Sequence, residues 1–317
     1  MRKRLRMLAV IALLSLMPLQ SAWGWNSIGH MAVAYVAYQH LTAKQKARAA
    51  ALLKLNPDYK LWVSYLPKKT SAAKTKMYVF MMAATWPDEI KASNSGYTSD
   101  HDTIPDSPEA TSNAGYTDML MHTYWHYIDV PFSTDGTPLP PVPSVNAQTQ
   151  IAALRQDIAS DEADAVKSYD LTWLMHLVGD VHQPLHCTSR ISSADPKGDA
   201  GGNLVKIDTS AKELHAFWDN LLGSGSTKNY ATALTAAEAL AAADPTAAAD
   251  LKEADWVQES FTLAQSKVYV DPPIGPGNGP YTIASGPTYA SDSLAVAKQQ
   301  IALAGARLAK VLNAELK

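Results

Sequence analysis

The sequence predicts an all-α fold in a single domain. Apolar residues recur at helical spacing along most of the 317 residues, and the alternating pattern of strands is rare. The composition, with 47% hydrophobic and 18% charged residues, excludes disordered and collagen-like chains. A formal charge of −3 excludes a polybasic nucleic-acid binder, and the single cysteine excludes an intrachain disulfide framework and a Cys-rich zinc finger. Any metal must therefore be held by histidines and carboxylates.

The first 24 residues predict a secretory signal peptide. Four basic residues lie within residues 2–6, an apolar run follows over 7–19, and small residues stand at Ala22 and Gly24. A membrane anchor is the alternative, but the run is shorter than the roughly 20 residues that a spanning helix needs. Cleavage after Gly24 leaves 23 Lys/Arg against 30 Asp/Glu, so the mature chain is acidic. We expect a soluble secreted or periplasmic protein with no membrane span after cleavage.

Helical periodicity recurs in several long segments of the mature chain. It predicts helices over 28–41, 43–54, 147–167, 169–180, 231–265 and 289–315. Segments rich in Ser, Gly, Asn, Asp or Pro separate them and predict long loops over 92–117, 131–146 and 271–287. Long loops in a compact helical protein often carry function.

Two histidine–aspartate pairs stand out among the nine histidines. His176 and Asp180 lie four residues apart, so they share one face of a helix, and His215 and Asp219 repeat this spacing. His186 follows shortly after the first pair, beyond a proline that breaks the helix. Such a set offers the nitrogen and oxygen ligands that zinc takes.

A surface interaction between side chains four residues apart is the alternative for any one such pair. Trp173 and Trp218 lie beside the two pairs, which favours partial burial. A buried carboxylate without a partner is costly, so a metal is the natural counter-ion.

Further segments complete a recognisable order: WNSIGH at 25–30, WPDEIK at 86–91, WHYID at 125–129, HLVGDVHQPLH at 176–186, GGN at 201–203 and LHAFWD at 214–219. With the last helix AGARLAKVLN, they make the sequence resemble the secreted trinuclear-zinc nucleases of the S-one/P-one type, also called type I nucleases or 3'-nucleotidases. The resemblance covers nearly the whole mature chain. It implies one helical domain over 25–317, with long loops around a zinc cleft and a fold shared with zinc-dependent phospholipase C.

The resemblance implies three zinc ions per chain. The first site would be held by Asp88, His126, His176 and Asp180, the second by His186, His215 and Asp219, and the third by the α-amino nitrogen and carbonyl oxygen of Trp25, by His30 and by Asp180. Because that amine exists only after cleavage, export and maturation would be coupled to activity.

The resemblance also implies the reaction. A zinc-bound hydroxide would attack phosphorus and break the P–O3' bond of RNA, single-stranded DNA or a 3'-nucleotide, leaving 5'-phosphorylated products. Asp88 and Asp180 would act as catalytic ligands, with Lys91 and Asn220 near the phosphate. Relatives often carry arginine at the position of Lys91, and lysine keeps the charge but loses the bidentate fork. No stable protein partner is implied, and we expect a monomer.

Base binding is predicted at Tyr127 and Asp129. An aromatic face stacks any base, worth roughly 1–3 kcal/mol, which favours unpaired strands. The alternative is that Tyr127 packs in the core and Asp129 caps a turn. Asn203, like Asn220, is a candidate contact either to phosphate or to a residue that ligates a metal.

Two other functions remain open. A zinc-dependent phospholipase C shares the fold, but Asp219 follows the nuclease pattern where the lipases tend to have glutamate. The third candidate is an inactive exported protein that binds zinc or nucleic acid, and the complete set of expected ligands argues against it.

Overall fold

Helices make up most of the fold, which confirms the all-α prediction. The computed structural model describes residues 24–100, 104, 119–286 and 288–317. Within these ranges the α-helices are α1 (Ser27–His40), α2 (Ala43–Leu53), α3 (Tyr59–Ser64), α4 (Ala72–Ala83), α5 (Trp86–Glu89), α6 (Ala147–Ala159), α7 (Asp164–Asp180), α8 (Leu214–Asp219), α9 (Tyr230–Glu238), α10 (Glu253–Leu263) and α11 (Tyr289–Glu315).

Short elements fill the connections between these helices. The two strands β1 (Pro131–Ser133) and β2 (Ser189–Ile191) pair in parallel with Pro131 opposite Ser189. The remaining turns are 3-10 helices at Thr123–His126, Pro184–Cys187, Thr227–Asn229, Ala247–Ala249 and Ile283–Ser285, and a π-helical turn at Ala264–Val268.

Helix α7 runs through the centre of the protein. Every residue from Lys167 to Asp180 is buried, and the helix contacts α1, α2, α5, α6 and α11. A helix that is buried on all sides must carry its polar groups into the interior. Its buried carboxylates Asp170 and Asp180 therefore need either a proton or a compensating positive charge.

Helix α1 begins beside this centre and packs along α11. The Asn26 side chain accepts hydrogen bonds from the backbone N–H groups of Ile28 and Gly29 and so caps the helix. Gly305 of α11 allows the close approach, because a Cβ there would lie 2.5 Å from the Cβ of Val36. The start of α1 thereby brings the fully buried Trp25 and His30 to the end of α7.

Three predicted helices are wrong in extent: the one predicted over 169–180 begins earlier, at Asp164, and two others are shorter than predicted. The helix predicted over 147–167 ends at Ala159, where the Ser160 hydroxyl donates to the Asp157 carbonyl and accepts from the Glu162 N–H. Such local bonds compete with helix continuation, and α7 starts anew at Asp164.

The helix predicted over 231–265 is divided into α9, the turn Ala247–Ala249 and α10. Pro245 restricts the residue before it, and the Asp244 carboxylate accepts from the N–H groups of Thr246 and Ala247 to form a turn. Helices α3 and α4 lie outside the predicted ranges, although an apolar helical run precedes Trp86 in the sequence.

Residues 1–23 of the predicted signal peptide, which covers 1–24, lie outside the described residues, as does most of the predicted loop 92–117. In the part of the chain that the structure describes, no helix combines the length and the apolar character needed to cross a bilayer.

Candidate metal centre

Six elements converge at the carboxyl end of α7. The histidines and aspartates that they carry are all buried, with relative exposures of 0–4%. They are His30 of α1, Asp88 of α5, His126 and His186 of two 3-10 helices, His176 and Asp180 of α7, and His215 and Asp219 of α8.

These side chains form three groups whose ligand-type atoms lie within 4.8 Å of one another in each group. The groups are His30, His176 and Asp180; Asp88, His126 and His176; and His186, His215 and Asp219. The structure thus brings together every side chain that the sequence predicts as a zinc ligand.

In the second site, two imidazoles point their Nε2 atoms at each other. His186 Nδ1 donates to the His126 carbonyl at 2.6 Å, and His215 Nδ1 donates to the Gly201 carbonyl at 2.7 Å. In a neutral ring of this tautomer Nε2 is an acceptor, and the two Nε2 atoms lie 3.0 Å apart. Asp219 Oδ2 lies 3.5 Å from His215 Nε2. Two imidazole nitrogens and a carboxylate oxygen that converge in this way fit a bound cation.

The first site repeats this arrangement. His176 Nδ1 donates to the Ala84 carbonyl at 2.7 Å, which leaves Nε2 as an acceptor 2.9 Å from His126 Nδ1 and 3.3 Å from Asp180 Oδ2. Asp88 Oδ1 lies 3.7 Å from the same His176 atom. Burial lowers the pKa of both His126 and His176 well below the usual range. Both rings are therefore neutral, the form that ligates metals.

The third site lies where the chain enters α1. The His30 ring stacks on His176 at 3.8 Å, neither of its nitrogens has a hydrogen bond to a described residue, and Nε2 lies 3.3 Å from Asp180 Oδ1. A Cβ placed on Gly24 would lie 1.7 Å from Asp180 Oδ1 and 2.9 Å from His30 Nε2. The backbone that leads into Trp25 therefore lies directly against these two side chains.

Electrostatics also favour a cation here. Burial raises the pKa of Asp180 to about 6 and that of Asp219 well above its usual range. Keeping these carboxylates ionised in the interior requires a compensating positive charge. Imidazole nitrogens with carboxylate oxygens are a donor set that zinc binds, so the residues present fit this metal.

Gln183 holds the second site in place and was not predicted from the sequence. Its Nε2 donates to Asp219 Oδ1 at 2.7 Å, and its Oε1 accepts from the Leu185 N–H at 2.6 Å. It therefore orients one ligand and caps the 3-10 helix that carries another, His186. Groups that orient metal ligands in this way tune the metal site.

The GGN segment contributes through its backbone. Gly201 has a φ of 57°, and a Cβ there would lie 2.4 Å from the Leu185 carbonyl oxygen. The Gly201 carbonyl fixes the tautomer of His215. The Asn203 side chain donates to the Ala200 carbonyl at 2.7 Å and closes its own turn, so its contact with phosphate stays a prediction.

The two other predicted phosphate contacts lie at the edge of the centre. Lys91 Nζ is 2.9 Å from Asp88 Oδ1, and the lysine side chain is 3% exposed. Asn220 Oδ1 accepts from Asn26 Nδ2 at 2.6 Å, and its own Nδ2 donates to the Ala216 carbonyl. Asn220 thus ties α8 to the cap of α1, and its contact with phosphate stays a prediction.

The predicted base-binding residues follow His126 directly. Tyr127 is half-buried against the main core, as the alternative interpretation expected. Asp129 is half-buried and makes no hydrogen bond with any described residue, so turn capping is not its role. Burial, with a contribution from Asp199, raises the pKa of Asp129 to about 7.

Residues 25–317 match the S1/P1 nuclease family along their whole length. The chain belongs to the S1/P1 nuclease family. It is 24% identical to Nuclease S1 of Aspergillus oryzae over 68% of this chain and 60% of that protein. It is 24% identical to Endonuclease 3 of Arabidopsis thaliana over 71% of this chain and 64% of that protein.

A shorter match has a higher sequence identity. The chain is 35% identical to Endonuclease 4 of Arabidopsis thaliana over 78 residues, which are 23% of this chain and 24% of that protein. Each of these three matches spans less than two thirds of the relative's length. The family resemblance inferred from the sequence is confirmed.

Proposed function

We propose that this protein is a zinc-dependent phosphodiesterase, an endonuclease with 3'-nucleotidase activity. The observation that carries the proposal is the set of three converging groups of buried histidine and aspartate acceptors at the end of α7. Its substrates would be RNA, single-stranded DNA and 3'-nucleotides, cleaved at the P–O3' bond to leave 5'-phosphates. The names of the relatives and the family match support the nuclease class.

The ligand sets proposed are those that the sequence predicts. Asp88, His126, His176 and Asp180 would hold the first zinc, and His186, His215 and Asp219 the second. The Trp25 amine and carbonyl, His30 and Asp180 would hold the third. Zinc in these sites would supply positive charge that lowers the pKa of the attacking water and stabilises the leaving oxygen.

The residues of the chain have separate tasks in this proposal. Asp88, Asp180 and Asp219 offset part of the +6 charge of three zinc ions and leave about +3 to attract a phosphodiester. Lys91 holds Asp88 and brings a further positive charge to the edge of the centre. Tyr127 would stack on a base, and the carboxyl group of Asp129 would pair with the base edge.

The position of Gly24 supports a link between maturation and activity. Because the backbone before Trp25 lies against His30 and Asp180, an attached leader would occupy the space of the third site. Cleavage after Gly24 would remove that segment and create the amine. We propose that the mature protein is a secreted or periplasmic monomer.

The test is one assay on purified protein that begins at Trp25. Single-stranded DNA, RNA and a 3'-mononucleotide are incubated with the enzyme, with chelator, and with chelator followed by zinc. We expect chelator-sensitive release of 5'-mononucleotides and of phosphate from the 3'-nucleotide. A His215→Ala variant should lose zinc and turnover, whereas His40→Ala, which changes a histidine outside the centre, should keep both.

The alternative of a phospholipase C is examined in the same preparation with phosphatidylcholine. Asp219, rather than the glutamate expected of the lipases, supports the nuclease. Three zinc ions per chain with turnover of phosphatidylcholine and of no nucleic acid would overturn the nuclease proposal.

A further inference from the structure

Positive charge is distributed unevenly along the chain. Residues 43–76 contain nine Lys/Arg and one carboxylate, Asp58. The rest of the segment 25–317 contains 14 Lys/Arg against 29 Asp/Glu. One short stretch is therefore strongly basic within an acidic protein.

This stretch forms α2, α3 and α4, which contact one another through α4. Seven of its lysines are exposed, and we call them the α2–α4 surface: Lys44, Lys54, Lys60, Lys68, Lys69, Lys74 and Lys76. None of the seven forms an ion pair with any residue in the described ranges. Arg48 differs, because its guanidinium pairs with Asp164. The charge of the surface is thus left to face solvent.

The nearby carboxylates face inward instead of neutralising the lysines. Asp58 Oδ2 accepts from the indole N–H of Trp86 at 3.0 Å. Glu89 Oε2 accepts from the indole N–H of Trp62 at 3.4 Å. Both acids serve the packing between α3 and α5.

Helix α4 connects the surface to the metal centre. Lys74 and Lys76 lie in its first turns, and Asp88 follows its end on α5. At about 1.5 Å of rise per residue, Lys76 is separated from Ala83 by roughly 10 Å of helix. Asp88 follows five residues after Ala83, so α4 and its short continuation join the lysines to the centre.

A second segment makes the same connection. The ammonium of Lys228 lies 5.2 Å from the centre of the Tyr65 ring, just after α3. Next to it, the Thr227 hydroxyl is 2.6 Å from that of Thr85, which precedes α5. This segment follows Asp219 along the chain, and its contact with Thr85 brings it next to the helix that carries Asp88.

We propose that the α2–α4 surface binds the phosphate backbone of a single-stranded nucleic acid outside the point of cleavage, an inference that rests on the proposed function. Lysines that neutralise phosphates release condensed counter-ions, so binding strengthens as salt falls. Tyr59 is half-exposed next to Lys60 and offers an aromatic side chain for stacking, whereas Lys228 covers the ring of Tyr65. The surface would also locally reverse the repulsion between an acidic protein and a polyanion.

An anionic membrane is the competing partner for a basic surface. Leu55 and Leu61 are 49% and 45% exposed within it. The two connections to the metal centre favour nucleic acid, because a strand lying on the surface also reaches the site that would cleave it.

The experiment uses the zinc-loaded mature protein and a triple variant, Lys60→Gln with Lys68→Gln and Lys69→Gln. The matched control carries three exposed lysines changed elsewhere, Lys252→Gln with Lys267→Gln and Lys298→Gln. Three readouts are compared across a salt series: kcat/KM on a long single strand, kcat/KM on a 3'-mononucleotide, and affinity for a phosphorothioate single strand, which measures binding without cleavage. Binding to phosphatidylserine vesicles is the fourth readout.

We expect the triple variant to lose about tenfold or more in affinity and in kcat/KM on the long strand at low salt. The slope of log affinity against log salt should fall by about two, since each phosphate contact on a single strand contributes about 0.7. Hydrolysis of the mononucleotide should not change, and the control variant should match the wild type.

Unchanged affinity for the strand, an equal loss in the control, or a loss confined to vesicle binding would overturn the proposal. Failure of the proposed function has a different signature. In that case the wild-type protein would turn over no nucleic acid, while the loss of strand affinity in the triple variant would still be measured.

Discussion

Helix α7 buries two aspartates ten residues apart, and their surroundings differ completely. Asp180, at its carboxyl end, faces the nitrogens of His30, His126 and His176 at 3.1–3.3 Å. Asp170, nearer its amino end, is equally buried, but neither of its oxygens has a hydrogen-bond partner among the described residues.

The two aspartates illustrate the two ways in which a folded protein resolves a buried carboxylate. Burial, with the charges of Asp157 and Glu162, raises the pKa of Asp170 to about 8, so it is neutral at pH 7. Asp180 lies against the imidazoles of His126 and His176, whose pKa values burial lowers well below the usual range, so these rings offer lone pairs and no charge and favour a cation. Asp170 is therefore protonated, whereas Asp180, at the carboxyl end of the helix, is suited to bind a metal ion.

The largest effect on zinc content and activity is expected from removing the negative charge of Asp180. Asp180→Asn takes a ligand from two sites at once, so we expect zinc content to fall from three to one per chain. Activity should fall at least about 10³-fold, because metal ions supply several kcal/mol of transition-state stabilisation. Elemental analysis and the nuclease assay measure both quantities, with His186→Ala as the comparison that should lose one zinc. Retention of three zinc ions by Asp180→Asn would contradict the assignment.

A smaller effect is expected from the chain entering the same site. Protein that keeps residues 22–24 ahead of Trp25 has no free amine there, and its Gly24 backbone lies against Asp180 and His30. We expect two zinc ions rather than three, and activity reduced about 10²-fold, as for the loss of one preorganised charge stabiliser. Mass spectrometry confirms the start of each preparation. Equal zinc content in both forms would remove Trp25 from the ligand set.

The second site offers a finer test, because its ligand is oriented by an amide. Gln183→Ala removes the donor to Asp219, and we expect zinc affinity at the second site to fall about 10–100-fold. Gln183→Glu keeps the acceptor for the Leu185 N–H but places a carboxylate against Asp219.

Competition titration with a chelator separates these outcomes, and the exposed Gln258→Ala is the control. If Gln183→Glu bound zinc as tightly as the wild type, zinc affinity at the second site would depend on the cap of the 3-10 helix and not on the orientation of Asp219.

The two histidine–aspartate pairs of the metal centre were predictable from sequence, because the two side chains of each pair stand at a fixed helical spacing. His176 with Asp180 and His215 with Asp219 are four apart, and the observed separations of 3.3 Å and 3.5 Å follow from that geometry. The groups that orient the histidines were not predictable. They are the carbonyls of Ala84, His126 and Gly201, and a backbone carbonyl has no residue type that a pattern can reveal.

The helix boundaries show the same division. The helical pattern over 147–167 continues through Ser160, whereas α6 ends there with local hydrogen bonds to the hydroxyl of that serine. Asp170 could not be distinguished from Asp180 by its type. What separates them is which residues other elements bring to them, and this depends on tertiary packing.

The smallest expected effect is on the pH dependence of stability, and it comes from Asp170. Its sign follows from the raised pKa of this aspartate. In the unfolded chain an aspartate titrates near 3.9, so between that pH and about 8 the folded state binds one more proton than the unfolded state. Stability is therefore lost as pH rises through this range, by up to about 1.4 kcal/mol per pH unit. Asp170→Asn mimics the neutral form and removes this dependence.

Urea denaturation of the zinc-loaded proteins at pH 6, 7 and 8 measures the difference. The stability gained by the variant over the wild type should grow with each step, while zinc content and nuclease activity stay unchanged. The exposed Asp161→Asn should show no such trend. The variant could instead be less stable than the wild type by the same amount at all three pH values. That result would mean that Asp170 is ionised in the folded state and is stabilised there by a positively charged partner.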